Sequence, residues 1–296
     1  MDKPGRFART MLLASLLVAG AFVFGACGGG GETLSVGDIG WTENTAVSNL
    51  TKVLLEEELG YEEVTIRIVP LSRVFEDVEN GDLEAFQDVW LPNHQAQIDE
   101  VQDDIVQLDP WYQGETEFGV AVPYYMDVTS IDQLNQTGAE LIFGIEPESV
   151  IMEAIPEEVI PAYGLEQKLV ESSTEGMLSE VDNRYNNGEE FAFIAWSPHW
   201  MNQVYDFRYL EDPQDALGEL DESAEISSIV NEDLPDYDPV AYAFLSALTL
   251  TEEQVNDLED TINTVGDPLE GARTWAQNNP NVIEPWIEAA QNARED

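Results

Sequence analysis

Residues 34–60, LSVGDIGWTENTAVSNLTKVLLEEELG, decide the fold class because they contain two different hydrophobic periodicities separated by one turn. Leu34–Ile39 is a short, mostly apolar run that predicts a buried strand. Thr42–Leu59 follows with apolar residues at helical spacing, and Gly60 is a typical helix stop. The stretch therefore predicts a strand followed by a helix, which is the repeating unit of an α/β fold.

This alternation continues along the chain and predicts further strands and helices. The further predicted strands are Val64–Val69, Glu84–Trp90, Leu141–Ile145, Leu169–Ser172, Phe191–Trp196 and Ala224–Val230. The further predicted helices are Ser72–Asn80, Ser149–Tyr163, Glu175–Asn186, Pro239–Leu248, Glu252–Val265 and Pro268–Asn278. Alternating elements favour a mostly parallel sheet, in which binding residues lie at the carboxyl ends of the strands.

The chain is longer than one hydrophobic core usually requires, so we expect two lobes. Phe118–Val122 is predicted to cross into the second lobe, and Phe207–Leu210 to return to the first. Lobe I would then comprise residues 34–120 and 211–296, and lobe II residues 121–210. The prediction is an α/β clamshell with two hinge crossovers.

Residues 1–26 have the pattern of a secretion signal peptide. Three basic residues precede an apolar run that is shorter than the ~20 residues of a spanning helix and ends in small residues. Cys27 follows and is the only cysteine, so no intramolecular disulfide can form, and we expect lipid attachment to its thiol. Residues 27–33 would form a lipidated, glycine-rich tether that anchors the protein to the outer face of the cell membrane. The alternative is an ordinary signal peptide with an incidental cysteine.

The composition is strongly acidic, with 60 Asp and Glu against 11 Lys and Arg and a formal net charge of −49. Such a surface excludes nucleic acid as a partner. Its self-repulsion is screened at high salt, where the Debye length falls to about 3 Å near 1 M, so the composition favours a saline habitat. Hydrophobic residues make up 43% of the chain, which excludes intrinsic disorder. Calcium binding is an alternative use of the acids, but no D-x-[DN]-x-[DN]-G loop occurs.

Trp41, Trp90 and Trp196 share one kind of position, because each closely follows or ends a predicted strand. Tryptophans at the mouth of a sheet face the cleft between lobes. Several indole faces suit a cation without hydrogen-bond donors, such as a quaternary ammonium group. The alternative for each one is a core residue or a sugar-stacking platform.

The two histidines of the chain lie in the same tryptophan segments. They lack the spacing of a metal site, so we predict neither metal nor cofactor. We assign His94 to a ligand carboxylate and His199 to structural hydrogen bonding. The stretch Phe143–Ser149 leaves a strand and enters a helix with Ser149 as a plausible N-cap. Its backbone N–H groups could hold an anion, although an ordinary βα turn explains it equally well.

Four motifs together resemble the glycine betaine and proline betaine-binding proteins of ABC importers, over most of residues 34–296. The motifs are Gly40-Trp41, Trp90-Leu91-Pro92-Asn93-His94, Gly144-Ile145-Glu146-Pro147 and Trp196-Ser197-Pro198-His199-Trp200. The resemblance implies a type II periplasmic-binding-protein fold, with a tryptophan cage around a trimethylammonium group and separate contacts to the ligand carboxylate. The cage residues implied are Trp41, Trp90 and Trp196, and the carboxylate partners are His94 and the N–H groups of Gly144 and Ile145.

The resemblance implies a monomeric, non-catalytic receptor that delivers a small zwitterion to a membrane permease with a cytoplasmic ATPase. Choline, carnitine, ectoine and dimethylsulfoniopropionate are alternative ligands. A secreted glycosidase using paired carboxylates is an alternative from another class, but no nucleophile elbow, zinc motif or phosphate loop occurs.

Overall fold

The computed structural model describes residues 32–295, so the predicted signal peptide and Cys27 lie outside the described residues. The strands are β1 (Thr33–Asp38), β2 (Glu63–Ile68), β3 (Ala85–Leu91), β4 (Ile105–Gln107), β5 (Tyr112–Gln113), β6 (Glu117–Pro123), β7 (Leu141–Phe143), β8 (Lys168–Val170), β9 (Ala192–Ser197), β10 (Phe207–Tyr209), β11 (Glu225–Asn231) and β12 (Leu250–Thr251). The helices are α1 (Thr42–Glu57), α2 (Leu71–Glu79), α3 (Gln95–Val101), α4 (Val150–Ala154), α5 (Ile160–Tyr163), α6 (Thr174–Asn187), α7 (Met201–Val204), α8 (Leu234–Tyr237), α9 (Pro239–Ala247), α10 (Glu252–Val265), α11 (Pro268–Asn278) and α12 (Pro280–Glu295). A π-helical turn, Ile155–Val159, joins α4 to α5, and two short 3-10 helices complete the set. The predicted α/β fold is confirmed.

Lobe I is built on a five-stranded sheet with the order β2-β1-β3-β11-β4. Strand β1 pairs in parallel with β2 and β3, whereas β11 runs antiparallel to both β3 and β4. The expectation of a mostly parallel sheet is therefore wrong for the part of the sheet formed by β3, β11 and β4. Strand β11 follows the whole of lobe II in the chain, so no short β-α-β connection links it to β3. Without such a connection, β11 can pair either parallel or antiparallel with β3.

Lobe II is built on a second five-stranded sheet with the order β10-β6-β9-β7-β8. The predicted crossover Phe118–Val122 lies inside strand β6, which pairs antiparallel with β9 and β10. The boundary predicted after residue 120 thus falls within one strand of this sheet. Phe207–Leu210 does not return to lobe I, because Tyr209 pairs with Ala121 at the edge of the second sheet.

The chain passes between the two sheets twice, at residues 114–116 and 210–224. The two passages are hydrogen-bonded to each other. The Ala224 N–H donates to Thr116 Oγ1 at 2.6 Å, and the Thr116 N–H donates to Ser223 Oγ at 3.1 Å. The two crossovers therefore lie side by side, as a hinge between two lobes requires.

The C-terminal helices pack on lobe I. Helix α10 begins with a capping box of Thr251 and Gln254 and packs against α1 and α11. Helix α12 was not predicted, because Pro285 in its interior indicates a helix break. It nevertheless forms by packing on α9, where the Trp286 and Phe244 ring centroids are 6.5 Å apart. Between residues 32 and 295, no helix has the length and apolarity needed to cross a membrane.

Candidate ligand-binding site

The ends of three strands bring the three predicted tryptophans together. Trp90 and Trp196 lie near the carboxyl ends of β3 and β9, and Trp41 lies just beyond β1 at the start of α1. All three are buried, with at most 8% of the side chain exposed. The burial follows from their position at the facing edges of the two sheets.

A cavity lies between the lobes at this point. Its lining comes from both lobes: Trp41, Glu43, Trp90, Asn93 and His94 from lobe I, and Phe118, Ile145, Ser149, Val150 and Trp196 from lobe II. The ring centroids of Trp41 and Trp196 are 6.5 Å apart, and those of Trp90 and Phe118 are 6.4 Å apart. The cavity therefore has four aromatic walls, of which Phe118 was not predicted.

Each of the three indole N–H groups donates to a carboxylate. The bonds are Trp41 Nε1 to Glu146 Oε2 at 3.1 Å, Trp90 Nε1 to Asp88 Oδ1 at 2.8 Å, and Trp196 Nε1 to Glu43 Oε2 at 3.1 Å. Two of these bonds, those of Trp41 and Trp196, join one lobe to the other. The carboxylates fix the ring orientations, and a cation–π contact depends on that orientation.

Glu43 is the acidic group in the cavity wall. It is fully buried, and its Oε1 atom has no hydrogen-bond partner within the described part of the chain. Burial raises the pKa of Glu43 well above its usual range, and the charges of Asp88 and Glu259 add to the rise. A positive charge placed in the cavity would favour the ionised carboxylate, so Glu43 supplies a site for a cation.

His94 is a neutral hydrogen-bond donor to the cavity. Its Nδ1 atom accepts the backbone N–H of Trp90 at 3.1 Å, so the ring proton lies on Nε2. Burial lowers the pKa of His94 to about 4, which keeps the ring neutral at neutral pH. The ring is stacked on Trp41 with centroids 5.9 Å apart. Its position holds the Nε2–H donor beside the aromatic cage.

The two predicted backbone donors differ. The Gly144 N–H donates to the Val170 carbonyl at 2.9 Å, because the β7–β8 ladder continues one residue beyond β7. The assignment of Gly144 to the ligand carboxylate is therefore wrong in this structure. Ile145 does line the cavity, and its N–H faces only a weak acceptor, Met152 Sδ, at 3.4 Å.

Two further polar groups of the wall were not predicted to contact a ligand. Ser149 occupies the N-cap position of α4, as expected, but its hydroxyl makes no capping bond. Ser149 Oγ and Asn93 Oδ1 are buried and have no partner among residues 32–295. Unpaired buried polar atoms are costly unless a ligand or water satisfies them. Both atoms are therefore candidates for ligand contact.

His199 has the structural role predicted for it. Its Nδ1 atom accepts the Met201 N–H at 3.0 Å, and its Nε2 atom is 2.8 Å from Thr42 Oγ1 across the lobe boundary. Burial lowers the pKa of His199 to about 3. The ring is absent from the cavity wall, and the described residues contain no cluster that could hold a metal ion.

Residues 32–278 match the family described as the substrate-binding domain of the ABC-type glycine betaine transport system, OpuAC. The chain belongs to this family. OpuAC-family domains are components of transport systems, and the resemblance inferred from the four motifs is confirmed.

Three relatives illustrate the similarity. The glycine betaine/carnitine transport binding protein GbuC of Listeria monocytogenes is 29% identical over 163 residues, which are 54% of this chain and 52% of GbuC. The match thus spans about half the length of that relative. Lactococcal OpuAC in its closed form with glycine betaine has a TM-score of 0.78 and 26% identity, covering 86% of this chain and 99% of that one. A choline-binding protein complexed with choline shares the fold, with a TM-score of 0.76 and 24% identity, over 88% of this chain and 97% of that one.

Proposed function

We propose that this OpuAC-family chain is the extracytoplasmic receptor that captures glycine betaine, or a close quaternary-ammonium relative, for an ABC importer. One observation carries the proposal: the cavity between the lobes is lined by four aromatic side chains, a buried acid and a neutral histidine donor. Glycine betaine has a matching methylated cation and carboxylate.

The aromatic walls suit the methylated cation. A trimethylammonium group has no hydrogen-bond donor, so it is held by ring faces, each contributing about 0.5–2 kcal/mol where water is excluded. Trp41 and Trp90 from lobe I face Phe118 and Trp196 from lobe II. Glu43 lies on the same wall, and a cation bound beside it would favour its ionised, negatively charged form. Contacts from both lobes to one cation would stabilise the closed state.

The polar side of the cavity suits the carboxylate. His94 offers its Nε2–H, Ser149 its hydroxyl, and Ile145 a backbone N–H that is only weakly satisfied by sulfur. A hydrogen bond to a charged acceptor contributes about 1.5–3 kcal/mol. A carboxylate at this end of the cavity would satisfy donors that the protein leaves available.

Choline is a second candidate because the same wall also carries unpaired acceptors. Glu43 Oε1 and Asn93 Oδ1 are both buried without a partner in the described structure, and a ligand hydroxyl could donate to either. The two ligands share the trimethylammonium group and differ at the other end, where glycine betaine has a carboxylate and choline a hydroxyl. Only the carboxylate needs the hydrogen bond that His94 donates.

Calorimetric titration of the purified protein in high salt tests the proposal, with glycine betaine, proline betaine, choline and ectoine as ligands. We expect one-to-one binding with the tightest affinity for a betaine. Tighter binding of choline that is insensitive to His94→Ala would favour the second candidate. Absence of binding to all four ligands, or turnover of any of them, would defeat the receptor function.

We also propose that Cys27 carries the lipid that anchors this receptor beside its permease. The support is the leader of residues 1–26 and the position of the single cysteine behind it. A multiply acylated cysteine is needed, since one chain gives only reversible membrane binding. Cys27→Ser should move the protein from the membrane fraction to the soluble fraction. Unchanged membrane association would contradict the anchor. We expect the receptor to act as a monomer and to require no cofactor.

A further inference from the structure

Glu259 lies outside the ligand cavity and joins the two lobes. It belongs to α10 of lobe I and is fully buried. Its Oε2 atom accepts the backbone N–H of Trp200, from lobe II, at 2.6 Å. Its Oε1 atom has no partner among the described residues. A buried acid therefore depends on the opposite lobe for the hydrogen bond it accepts.

A second hydrogen bond crosses the lobe boundary next to it. His199 precedes Trp200 and contacts Thr42 of α1 at 2.8 Å. We call the pair of bonds, Glu259–Trp200 and Thr42–His199, the latch. None of the four residues lines the cavity. The latch therefore stabilises closure without touching the ligand.

We propose that closure of the lobes around the ligand is coupled to uptake of one proton by Glu259, because closure buries this carboxyl at the latch. The proposal rests on the proposed function, because closure is detected through ligand binding. The free Oε1 atom is the position for the proton, since Oε2 is occupied by the Trp200 N–H.

The surroundings of Glu259 supply negative rather than positive charge. The titratable groups that interact with it are Glu43 of α1, Asp88 of β3 and Tyr112 of β5. Burial raises the pKa of Glu259 to about 8, and the charge of Asp88 contributes to this, although the Trp200 hydrogen bond acts in the opposite direction. The closed form thus favours the protonated acid near neutral pH.

Opening of the lobes removes these conditions. Water then reaches Glu259, and the loss of burial lowers the pKa of the carboxyl towards its ordinary value of about 4.3. Burial is the largest cause of the raised pKa, so its loss outweighs the loss of the Trp200 hydrogen bond, which by itself raises the pKa. The pKa is higher in the closed form, so closure is favoured at low pH. Ligand affinity should fall by up to about tenfold for each pH unit between about pH 5 and pH 8, and become constant above that range.

Two substitutions isolate the contribution of Glu259 from the titration of Glu43 and Asp88. Glu259→Gln keeps an oxygen acceptor for the Trp200 N–H and places an uncharged amide where the protonated acid would be. Glu253→Gln removes one charge from the exposed face of the same helix and is the matched control. The two variants differ in burial and in contact with lobe II, not in net charge.

The experiment is calorimetric titration of the purified protein with glycine betaine at several pH values, in pairs of buffers with different ionisation enthalpies. Near pH 7 the wild type and Glu253→Gln should take up nearly one proton more per bound ligand than Glu259→Gln does. The affinity of Glu259→Gln should also depend less on pH. Its change per pH unit should be smaller than that of the wild type by a factor of up to about ten.

Equal proton counts and parallel pH profiles for wild type and Glu259→Gln would overturn the proposal, because a purely structural contact predicts them. Thermal melting of each variant checks its fold. If Glu259→Gln does not fold, the wild type alone can still overturn the proposal: affinity that does not change between about pH 5 and pH 8 does so. No binding of glycine betaine by the wild type at any pH would instead refute glycine betaine as the ligand and leave the proton coupling to be tested with the ligand that binds.

Discussion

Replacement of Trp196 by alanine should weaken glycine betaine binding by roughly 10- to 4,000-fold. The ring is one wall of the cage, and its loss removes about 0.5–2 kcal/mol of cation–π attraction. The substitution also removes the indole donor to Glu43, which is buried, at a further ~1–3 kcal/mol. A total of about 1.5–5 kcal/mol corresponds to that range in Kd, since each 1.4 kcal/mol is tenfold.

Two other substitutions separate the parts of this effect. Trp196→Phe keeps an aromatic wall and loses only the N–H donor, so its loss of affinity should lie between wild type and Trp196→Ala. Trp286→Phe is the control, because Trp286 is equally buried but packs on Phe244 of α9, away from the cavity. Calorimetry gives Kd, and thermal melting shows that each variant folds. Binding by Trp196→Ala within threefold of wild type would refute the cage.

Three further predictions concern the polar groups and the surface charge. His94→Ala should weaken glycine betaine binding by about 1.5–3 kcal/mol and leave choline within a few-fold, because choline has no carboxylate; equal losses in parallel titrations would contradict this role. Glu43→Gln keeps an acceptor for the Trp196 N–H but removes the carboxylate that can ionise beside the cation. Glycine betaine and choline should therefore both bind at least about tenfold more weakly. Unchanged affinities would show that Glu43 does not balance the charge of the cation. The melting temperature should rise as KCl is increased towards about 1 M, because screening relieves the self-repulsion of a chain with net charge −49; a melting temperature independent of salt would show that this repulsion is unimportant.

Sequence periodicity predicted the local elements of the fold better than their sheet partners. The predicted strand and helix of residues 34–59 agree closely with β1 and α1. A short apolar run indicated the strand, and apolar residues at helical spacing indicated the helix. The same signal does not say to which sheet a strand belongs. Strand β6 was interpreted as a crossover for this reason, although it lies in the middle of the lobe II sheet.

The site was predicted where side chains follow strands and missed where lobe closure brings residues together. Trp41 was singled out because it closely follows a predicted strand, and His94 because it lies in the same short motif as Trp90. Phe118 was missed with the strand that carries it. Glu43 is one of 60 acidic residues, so no local pattern distinguishes it, although it lies two positions after Trp41. The Gly144 N–H was misassigned because a sequence motif does not show that a β-ladder bond already uses it.

A crystal structure of the protein grown with glycine betaine would show where each end of the ligand lies in the cavity. We predict the trimethylammonium group between the rings of Trp41, Trp90, Phe118 and Trp196, with the carboxylate within hydrogen-bonding distance of His94 Nε2. A ligand bound outside this cavity, or with its carboxylate among the indole rings, would contradict the account.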